Sequence, residues 1–421
     1  SSSSLCNPQL RDPLTIALSY TPNPQPWLHS CRFFLDLWDH AVYLEGSLPC
    51  PYITFSDTPA EGGVTPLLKQ RRSAPISING AHHVKVPCSI HVVNLPGVTG
   101  SSLEGKAAPY DGFAAGSGAQ RIIVENLPKV SWLPVMQHCA FLTHVSLKDL
   151  PEMQELRTDL LLSSTTLNTF EAANLPSLKR IGNRVLHKCT ALKQATFEGL
   201  PELETVGTHW LASCSTLERI RVREFPKLTS LGEGAFRECR SLQEAIFESL
   251  PALTEIGMGC LCTAHKLTVL RMVGLPQLRT IRDHFLGKCS SLRQVAFENL
   301  PSLVTVGSGW LLGCSKLQKI HLRNLPELEL LGHDFLGKST GLKEAKFEQL
   351  PKLQVVGVRW MASCKKITTL SFKDMPVLAD IGECFLEGCT SVQVLTVDNC
   401  HSTVAAATAP HLVQAKGSET M

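Results

Sequence analysis

The sequence predicts an α/β repeat fold: a solenoid of about eleven units of 25 residues, with a parallel, concave β-sheet and short helical or 3₁₀ segments on the convex side. Three observations predict it. An apolar-proline pair returns every 25 residues, a stretch of alternating apolar and polar residues precedes each pair, and a glycine and then a cysteine follow at fixed distances. A unit this small cannot enclose a core of its own, so the units must stack.

The apolar-proline pair sets the length of the unit. It begins at Leu150, Leu175, Leu200, Leu250, Leu275, Leu300, Leu325 and Leu350, with Phe225 and Met375 in the two remaining places and an earlier copy at Leu127. Proline has no backbone N–H and pushes the residue before it towards extended geometry. The pair therefore predicts a corner directly after a strand.

The stretch before the corner predicts the strand itself. In the unit that begins at Leu192, the apolar residues Ala195 and Phe197 alternate with polar ones before Leu200. A period of two is typical of a strand with one buried face. About eleven such strands at a spacing of about 4.8 Å would form a sheet on the order of 50 Å long.

A glycine seven residues after the leucine marks a second corner. It recurs at Gly182, Gly207, Gly232, Gly257, Gly307, Gly332, Gly357 and Gly382. Arg282 interrupts the series, so we expect a positive φ to be preferred here but not required. The residues between this glycine and the following cysteine are expected to cross the convex side as a short helix or 3₁₀ turn.

A longer period of 50 residues lies over the shorter one. Phe197, Phe247, Phe297 and Phe347 are each followed by glutamate, and Trp210, Trp310 and Trp360 share this phase, with Cys260 as the exception. The longer period indicates that the array grew by duplication of pairs of units.

The unit resembles a known repeat. Its pattern, Leu-x-x-Ile-x-Leu-x-x-Leu-Pro-x-Leu-x-x-Ile-Gly-x-x-Phe-Leu-x-x-Cys, resembles the BspA-type leucine-rich repeat over roughly residues 89–398, and it is similar to leucine-rich-repeat families of kinetoplastid protozoa. The resemblance implies a leucine-rich-repeat solenoid. It implies little about function, because adhesins, receptors, adaptors and cytoskeletal proteins all use this platform. The 25-residue period and the proline corner depart from the bacterial pattern, so surface adhesion does not follow from it.

The chain is expected to divide into three parts. They are an N-terminal cap region at 1–88, the solenoid at 89–398 with an inserted Gly/Ala-rich loop at 97–120, and a disordered tail at 399–421. Within the cap region, the segment from Pro26 to Leu44 is expected to form an amphipathic helix. One face of that helix would carry Trp27, Cys31, Phe34, Leu35, Trp38, Ala41 and Val42. That helix would either seal the first unit or dock a partner.

The chain has sixteen cysteines, which could form disulfides or metal sites. The position of most of them within the repeat argues against both. Cys139, Cys189, Cys214, Cys239, Cys289, Cys314, Cys364 and Cys389 occupy one repeat position, which Ala264 and Ser339 also occupy. A position that accepts Cys, Ala and Ser needs a small buried side chain. We therefore predict free thiols and no metal site.

No other motif predicts chemistry. The segment from Gly100 to Ala107 nearly matches a phosphate-binding loop, but Ala107 has no hydroxyl for Mg²⁺ and Pro109 stands where a helix should begin. The histidines show no pairing with a nucleophile. We predict that the protein is not an enzyme and has no cofactor.

Charges on the strands predict a binding surface. The last outward position reads Lys148, Ala173, Glu198, Arg223, Glu248, Val273, Glu298, Arg323, Glu348, Lys373, Asp398, a row that alternates in sign and would fix the strand register. The neighbouring positions are less balanced. The candidate partner-binding patch consists of Arg219, Arg221, Arg271, Arg293, Lys319, His321 and Arg323.

The predicted partner is a protein, which the basic patch would contact through an acidic segment. Nucleic acid is not expected, because 40 Lys and Arg balance 37 Asp and Glu and no aromatic residues lie among the exposed strand positions. No apolar run is long enough to span a membrane. The oligomeric state stays open.

Two functions follow, in two locations. The first is a non-enzymatic interaction scaffold inside the cell, in the cytoplasm, as free thiols and the absence of Asn-x-Ser/Thr sequons indicate. The alternative is a cell-surface or secreted adhesion protein, which a signal peptide upstream of Ser1 would favour.

Overall fold

The computed structural model describes residues 17–18, 32–36, 41–45, 53–55, 88–93, 119–134, 136 and 139–416. The chain forms two compact units, Ser1–Leu203 and Glu204–Met421. The phosphate-loop-like segment at Gly100–Ala107 and most of the inserted loop lie outside the described residues.

The strands before the repeats differ from the predicted helix. They are β1 (Ala17–Leu18), β2 (Arg32–Asp36), β3 (Ala41–Glu45), β4 (Ile53–Phe55) and β5 (Cys88–Val93). Strands β2 and β3 fall inside the segment predicted as helical, and they pair antiparallel with Phe34 opposite Tyr43. Their aromatic and branched residues favour a strand, and the spacing that suggests a helical face fits two short strands equally well.

The first unit contains the first repeats. Its long strands are β6 (Ala119–Glu125), β7 (His144–Lys148), β9 (Thr169–Ala173) and β11 (Gln194–Glu198), and its two-residue strands are β8 (Glu155–Leu156) and β10 (Arg180–Ile181). The long strands continue a parallel sheet from β4 and β5, and β1 adds to its edge antiparallel. Strand β5 thus lies where the solenoid is predicted to begin.

The second unit repeats the same pattern. Its long strands are β13 (Arg219–Arg223), β15 (Glu244–Glu248), β17 (Val269–Val273), β19 (Gln294–Glu298), β21 (Lys319–Arg323), β23 (Glu344–Glu348), β25 (Thr369–Met375) and β27 (Val394–Cys400). Its two-residue strands are β12 (Thr205–Val206), β14 (Ser230–Leu231), β16 (Glu255–Ile256), β18 (Thr280–Ile281), β20 (Thr305–Val306), β22 (Leu330–Leu331), β24 (Val355–Val356) and β26 (Asp380–Ile381). We call the face made by the long strands the front and the face made by the two-residue strands the back.

The front of the second unit is interrupted once. Strands β13, β15 and β17 form one parallel sheet, and β19, β21, β23, β25 and β27 form another. Strands β17 and β19 are not paired, and most of their Cα atoms lie more than 8 Å apart. The back sheet continues across the same step, where β18 pairs with β16 and with β20. The array therefore opens on one side only.

The segments after the second corner are runs of turns, where short helical or 3₁₀ segments are expected. In residues 283–288, φ is positive at His284, Leu286 and Lys288 and the residues between them are not positive. The N–H groups of His284 and Lys288 bond forward to the next unit, to Ser308 and Leu312, while that of Leu286 bonds back to Cys260. Hydrogen bonds between units thus replace the bonds of a helix.

The leucine-proline corner depends on the residue before it. That residue has positive φ at Asn126, Asp149, Asn174, Gly199, Glu224, Ser249, Gly274, Asn299, Asn324, Gln349 and Asp374, and Asn399 has it at the same repeat position before Cys400. Asn, Asp and Gly tolerate this conformation best, and they fill most of the places. Neighbouring side chains also bond to each other, as Asn324 Nδ2 does to Asn299 Oδ1 at 2.8 Å.

The recurring glycine at the second corner is explained by crowding, and the expectation of positive φ there is wrong. Gly182, Gly232 and Gly257 do not have positive φ. A Cβ on Gly257 would lie 2.6 Å from the backbone nitrogen of Glu233 and 2.6 Å from the carbonyl carbon of Gly232. The glycine is therefore needed because adjacent turns of the array come into close contact.

The core runs along the array between front and back. The leucine of each corner is buried, as are the inward residues of most long strands. Large aromatic rings pack against one another in the later repeats, with ring centres 5.2 Å apart for Trp310 and Phe335 and 5.0 Å apart for Trp360 and Phe385. The apolar periodicity of the sequence therefore predicts the core correctly.

The cysteine position is buried, as predicted, and it also forms hydrogen bonds. The Sγ of Cys289 donates to the carbonyl of Leu261 at 3.2 Å, and that of Cys314 donates to Leu286 at 3.3 Å. Ser339 makes the same bond to Leu311 at 3.0 Å. The twelve cysteines from Cys139 to Cys400 are free thiols.

The C-terminal segment is a helix, and the expectation of disorder over 399–421 is wrong for most of it. Helix α1 (Ser402–Lys416) begins where the Nδ1 of His401 accepts a bond from the N–H of Thr403 at 3.3 Å. Its alanines favour a helix, and Val404 and Thr408 are buried. The helix contacts β26 and β27, the last strands of the array.

Among the described residues, no helix combines the length and the apolar character needed to cross a bilayer.

Candidate binding surface

The outward side chains of the long strands form three rows. In β13, Arg219, Arg221 and Arg223 point outward and are exposed, whereas Ile220 and Val222 are buried. In-register pairing aligns the first, third and fifth positions of neighbouring strands. We call them the first, central and last outward rows.

The structure divides the predicted patch among three places in the second unit. Arg219, Arg221 and Arg271 lie on the three-stranded sheet, and Lys319, His321 and Arg323 lie together on β21 of the five-stranded sheet. Arg293 is separate from both groups, because it comes just before β19 and lies at the edge of the sheet.

The cations of the three-stranded sheet are close to acids. Arg219 and Arg221 lie 3.8 and 3.9 Å from the carboxylate of Glu244, and Arg271 lies 2.8 Å from that of Glu248. The three arginine side chains are 71%, 53% and 62% exposed. Exposed ion pairs contribute only about 0–1 kcal/mol to stability. These ion pairs therefore contribute little to the stability of the sheet.

The cations of β21 form a tighter network. Lys319 lies 3.0 Å from Glu344, whose pKa is lowered by its hydrogen bonds to Lys346 and Lys319. The two ring nitrogens of His321 lie 3.3 Å from Glu298 and 3.3 Å from Glu348. A neutral imidazole can donate to only one of two carboxylates, whereas an imidazolium donates to both.

The alternating last row forms the predicted register but not the expected ion pairs. Glu298, Arg323 and Glu348 are aligned strand by strand, as are Glu348, Lys373 and Asp398. The acids pair diagonally with the central row, where Glu248 meets Arg271 and Glu298 meets His321. Arg323 instead donates to Gln349 at 3.4 Å. Acids of the last row thus lie beside Arg271 and His321 of the central row.

The sequence-based interpretation misses two apolar residues beside the patch. Val269 and Val273 point outward on either side of Arg271 in β17, and they are 48% and 51% exposed. On the inner side of the same strand, Leu270 and Met272 are only partly buried. The run Val269–Val273 carries the signal, because its first and last outward positions are apolar where most other strands have polar residues.

Arg293 lines a separate, basic cleft. The cleft has a volume of about 310 Å³, and its other lining residues are Ser315, Lys316, Gln318, Gly341, Lys343 and Lys366. It lies at the edge of the five-stranded sheet where the strands begin.

The described residues contain no group of three or more His, Cys, Asp or Glu side chains that could hold a metal ion. Burial raises the pKa of the thiols of Cys239 and Cys314 to about 12. A buried thiol of this kind is a poor nucleophile at neutral pH.

Comparison with known proteins identifies the repeat. The model of a family described as "BspA type Leucine rich repeat region" matches in six copies, over residues 159–274 and 268–393, which together make up more than half of the chain. No significantly similar sequence is found among curated proteins.

Solved structures of bacterial proteins are similar to the chain. A leucine-rich-repeat protein from Bacteroides ovatus is 13% identical, with 90% of this chain and 94% of that one covered and a TM-score of 0.36. The T. pallidum leucine-rich-repeat protein is 20% identical, with 47% and 78% covered and a TM-score of 0.35. The pneumococcal vaccine antigen PcpA is 12% identical, with 87% and 85% covered and a TM-score of 0.32.

Proposed function

Because the chain belongs to the BspA-type leucine-rich-repeat family, we propose that it is a non-enzymatic scaffold that binds a partner protein on the front face of its second unit. We call this face, which comprises the three-stranded and the five-stranded sheets, the front sheet. The narrower likeness to kinetoplastid repeat proteins stays a prediction. So does the concave curvature of this sheet.

The observation that carries the proposal is the outward face of β17. There an exposed arginine, Arg271, stands between two exposed valines, Val269 and Val273. Protein interfaces combine an apolar centre with arginine, and a few such residues supply most of the binding energy. Arg221 lies on the same row two strands away, which places it about 10 Å from Arg271.

The ion pairs of the patch are compatible with this role. Because the acids of the patch already balance its cations, the free surface stays soluble and does not attract polyanions indiscriminately. A partner carboxylate placed beside Arg271 would replace Glu248. Such exchange gives specificity, since only a partner with acids in matching places recovers the pairs.

We further propose that the protein acts inside the cell, in the cytoplasm. The supporting feature is the hydrogen bonding of the buried thiols, because Cys289 and Cys314 use the S–H group as a donor. A disulfide has no such proton, and free thiols persist in reducing compartments. The alternative is a cell-surface or secreted recognition protein, a role the same repeat would also serve.

The test is charge reversal on the front sheet. A triple variant, Arg221→Glu with Arg271→Glu and His321→Glu, should weaken capture of the main partner at least about tenfold, because each change adds repulsion where the partner carries acids. The partner is first identified by proximity labelling around the full chain, then purified and measured against each variant.

A matched control reverses charge away from the front sheet. Arg240, Lys266 and Arg279 are exposed and lie outside the long strands, so the triple variant with glutamate at these places should bind normally. A separate variant, Val273→Asp, should also weaken binding. Unchanged capture by the front-sheet triple variant would sink the proposal.

A further inference from the structure

The rim cleft is a second basic surface, and its main residues lie outside the patch proposed above. We define the rim cleft as Arg293, Lys316, Gln318, Gly341, Lys343 and Lys366, all at the edge where the long strands of the second unit begin. Only Arg293 belongs also to the sequence-predicted patch.

Backbone hydrogen bonds fix the spacing of the cleft. The N–H of Gln318 bonds to the carbonyl of Arg293 at 2.6 Å, and that of Lys343 bonds to the carbonyl of Gln318 at 2.9 Å. These residues therefore stack at the separation of neighbouring strands, about 4.8 Å per unit. Lys316, Gly341 and Lys366 form a parallel column at the same 25-residue step.

A glycine opens the cleft. Gly341 stands between Lys316 and Lys366 in their column, and a Cβ there would lie 2.3 Å from the carbonyl oxygen of Ser315. The close approach of the backbone excludes any larger residue. As a result the column has a notch in the middle with a lysine on each side.

The cations of the rim cleft lack acidic partners. None of the ion pairs found among the described residues of the second unit involves Arg293, Lys316, Lys343 or Lys366. The nearest acid in sequence, Glu344, directs its carboxylate to Lys319 and Lys346 at 3.0 and 2.6 Å. Four cations therefore face one cleft without compensation, unlike the balanced rows of the front sheet.

We propose that the rim cleft binds an acidic segment of a protein in an extended conformation. The cations run from the unit of Arg293 to that of Lys366, three steps of about 4.8 Å, or about 14 Å in total. An extended peptide of about four to five residues covers that length at about 3.3 Å per residue. Gln318 and Ser315 supply donors and acceptors for its backbone.

The dimensions and lining favour a peptide over other anions. A single phosphate would meet only part of a row this long. No aromatic ring lines the cleft, so bases of a nucleic acid would have nothing to stack on. The acidic peptide meets all four cations with one extended chain, and the interaction weakens as salt rises.

The first experiment measures binding of a dye-labelled hexaglutamate peptide to the full chain at low salt, with hexaserine as the blank. The variant Lys316→Glu with Lys343→Glu and Lys366→Glu should lose at least about tenfold in affinity, because three attractions become repulsions. Lys266→Glu is the matched control, since Lys266 is exposed in the same column two units before Lys316. It should bind like the unchanged chain.

A competition arm separates the peptide from other polyanions. An oligonucleotide and heparin of equal total charge are measured on the same proteins. Tighter binding of either one than of hexaglutamate, with the same dependence on the three lysines, would overturn the assignment to a peptide. Equal binding of hexaglutamate by the triple variant and the unchanged chain would overturn the rim cleft as its site.

A second experiment locates the peptide directly. A carbodiimide activates the carboxylates of hexaglutamate, and a lysine amine then displaces the activating group to form an amide. Cross-links should concentrate on Lys316, Lys343 and Lys366. An even distribution over exposed lysines, including Lys266 and Lys365, would contradict the proposal.

This test is independent of the front-sheet proposal, because the variants Lys316→Glu, Lys343→Glu and Lys366→Glu share no residue with the front-sheet triple variant. Loss of hexaglutamate binding with normal capture of the main partner would support the rim cleft alone. Loss of partner capture only in the front-sheet variant would support the proposal that the two surfaces bind different ligands.

Discussion

At the scale of single residues, the small side chain near the end of each unit is selected by a hydrogen bond as well as by space. Cys289 donates to the carbonyl 28 residues earlier, and Ser339 does the same with an oxygen. The sequence predicts the size limit, because Cys, Ala and Ser share the position. It does not predict the bond, since Ala264 cannot make one and gives no hint of it.

The bond leads to a prediction about Cys289. Replacement by serine keeps the size and the donor, so Cys289→Ser should lower the free energy of unfolding by less than about 1 kcal/mol. Cys289→Leu adds carbons to a filled site and should cost about 1–3 kcal/mol. Urea unfolding followed by circular dichroism measures both. A serine variant as unstable as the leucine variant would show that the donor has no part in the selection.

At the scale of elements, the two corners of the unit need glycine for different reasons. Before the leucine-proline pair, Gly199 and Gly274 have positive φ, and Asn or Asp takes the same place elsewhere. At the back corner, Gly332 has ordinary φ, but its Cβ would lie 2.5 Å from the carbonyl carbon of Gly307. Sequence periodicity locates the back corner correctly. It cannot tell a conformational demand from a contact with the next unit, because both select glycine.

The back corner therefore should not accept even one methyl group. Gly332→Ala should lower the free energy of unfolding by about 2 kcal/mol or more, because the atoms it meets are backbone atoms that cannot turn away. Gly287→Ala is the control, because its Cβ would come no closer than 3.3 Å to any atom and its φ is not positive. It should cost less than about 1 kcal/mol. Thermal unfolding of the two variants in parallel makes the comparison, and equal losses would contradict it.

At the scale of the whole molecule, the repeat is predictable and the ends are not. Each repeat supplies the same signal again, so the strands from β6 to β27 follow from one pattern. The segments around Phe34 and Ser402 occur once, and their local sequence fits more than one structure. The candidate surface is only partly predictable. The strand register places Arg221 and Arg271 in one outward row, whereas the pairing of each cation with an acid depends on side-chain conformation. The rim cleft depends on Gly341, whose importance only the neighbouring backbone reveals.

The whole set of cysteines can be tested by thiol titration. In the folded protein at pH 8, the exposed Cys384 and the half-buried Cys262 and Cys400 should react with a disulfide reagent. The thiols of Cys139, Cys239 and Cys314 should not react, since burial raises their pKa to about 12 and leaves almost no thiolate. The remaining thiols should react once the protein is unfolded in urea.

The total after unfolding separates the two proposed locations. Protein taken from its own cells with rapid alkylation should show all 16 cysteines reduced if it works in the cytoplasm. A shortfall of two or more thiols that a reductant restores would indicate disulfides and favour the cell surface.

The opening between β17 and β19 has a consequence for cooperativity. In a linear array each unit is stabilised only by its neighbours, so folding passes along the chain through nearest-neighbour coupling. At this step the front ladder is missing while the back ladder, with Thr280 opposite Thr305, remains. We therefore expect the coupling here to be weaker than at the flanking steps, so that the second unit opens as two cooperative blocks. A ligand that bridges both blocks would restore the missing coupling and make them fold and unfold as one.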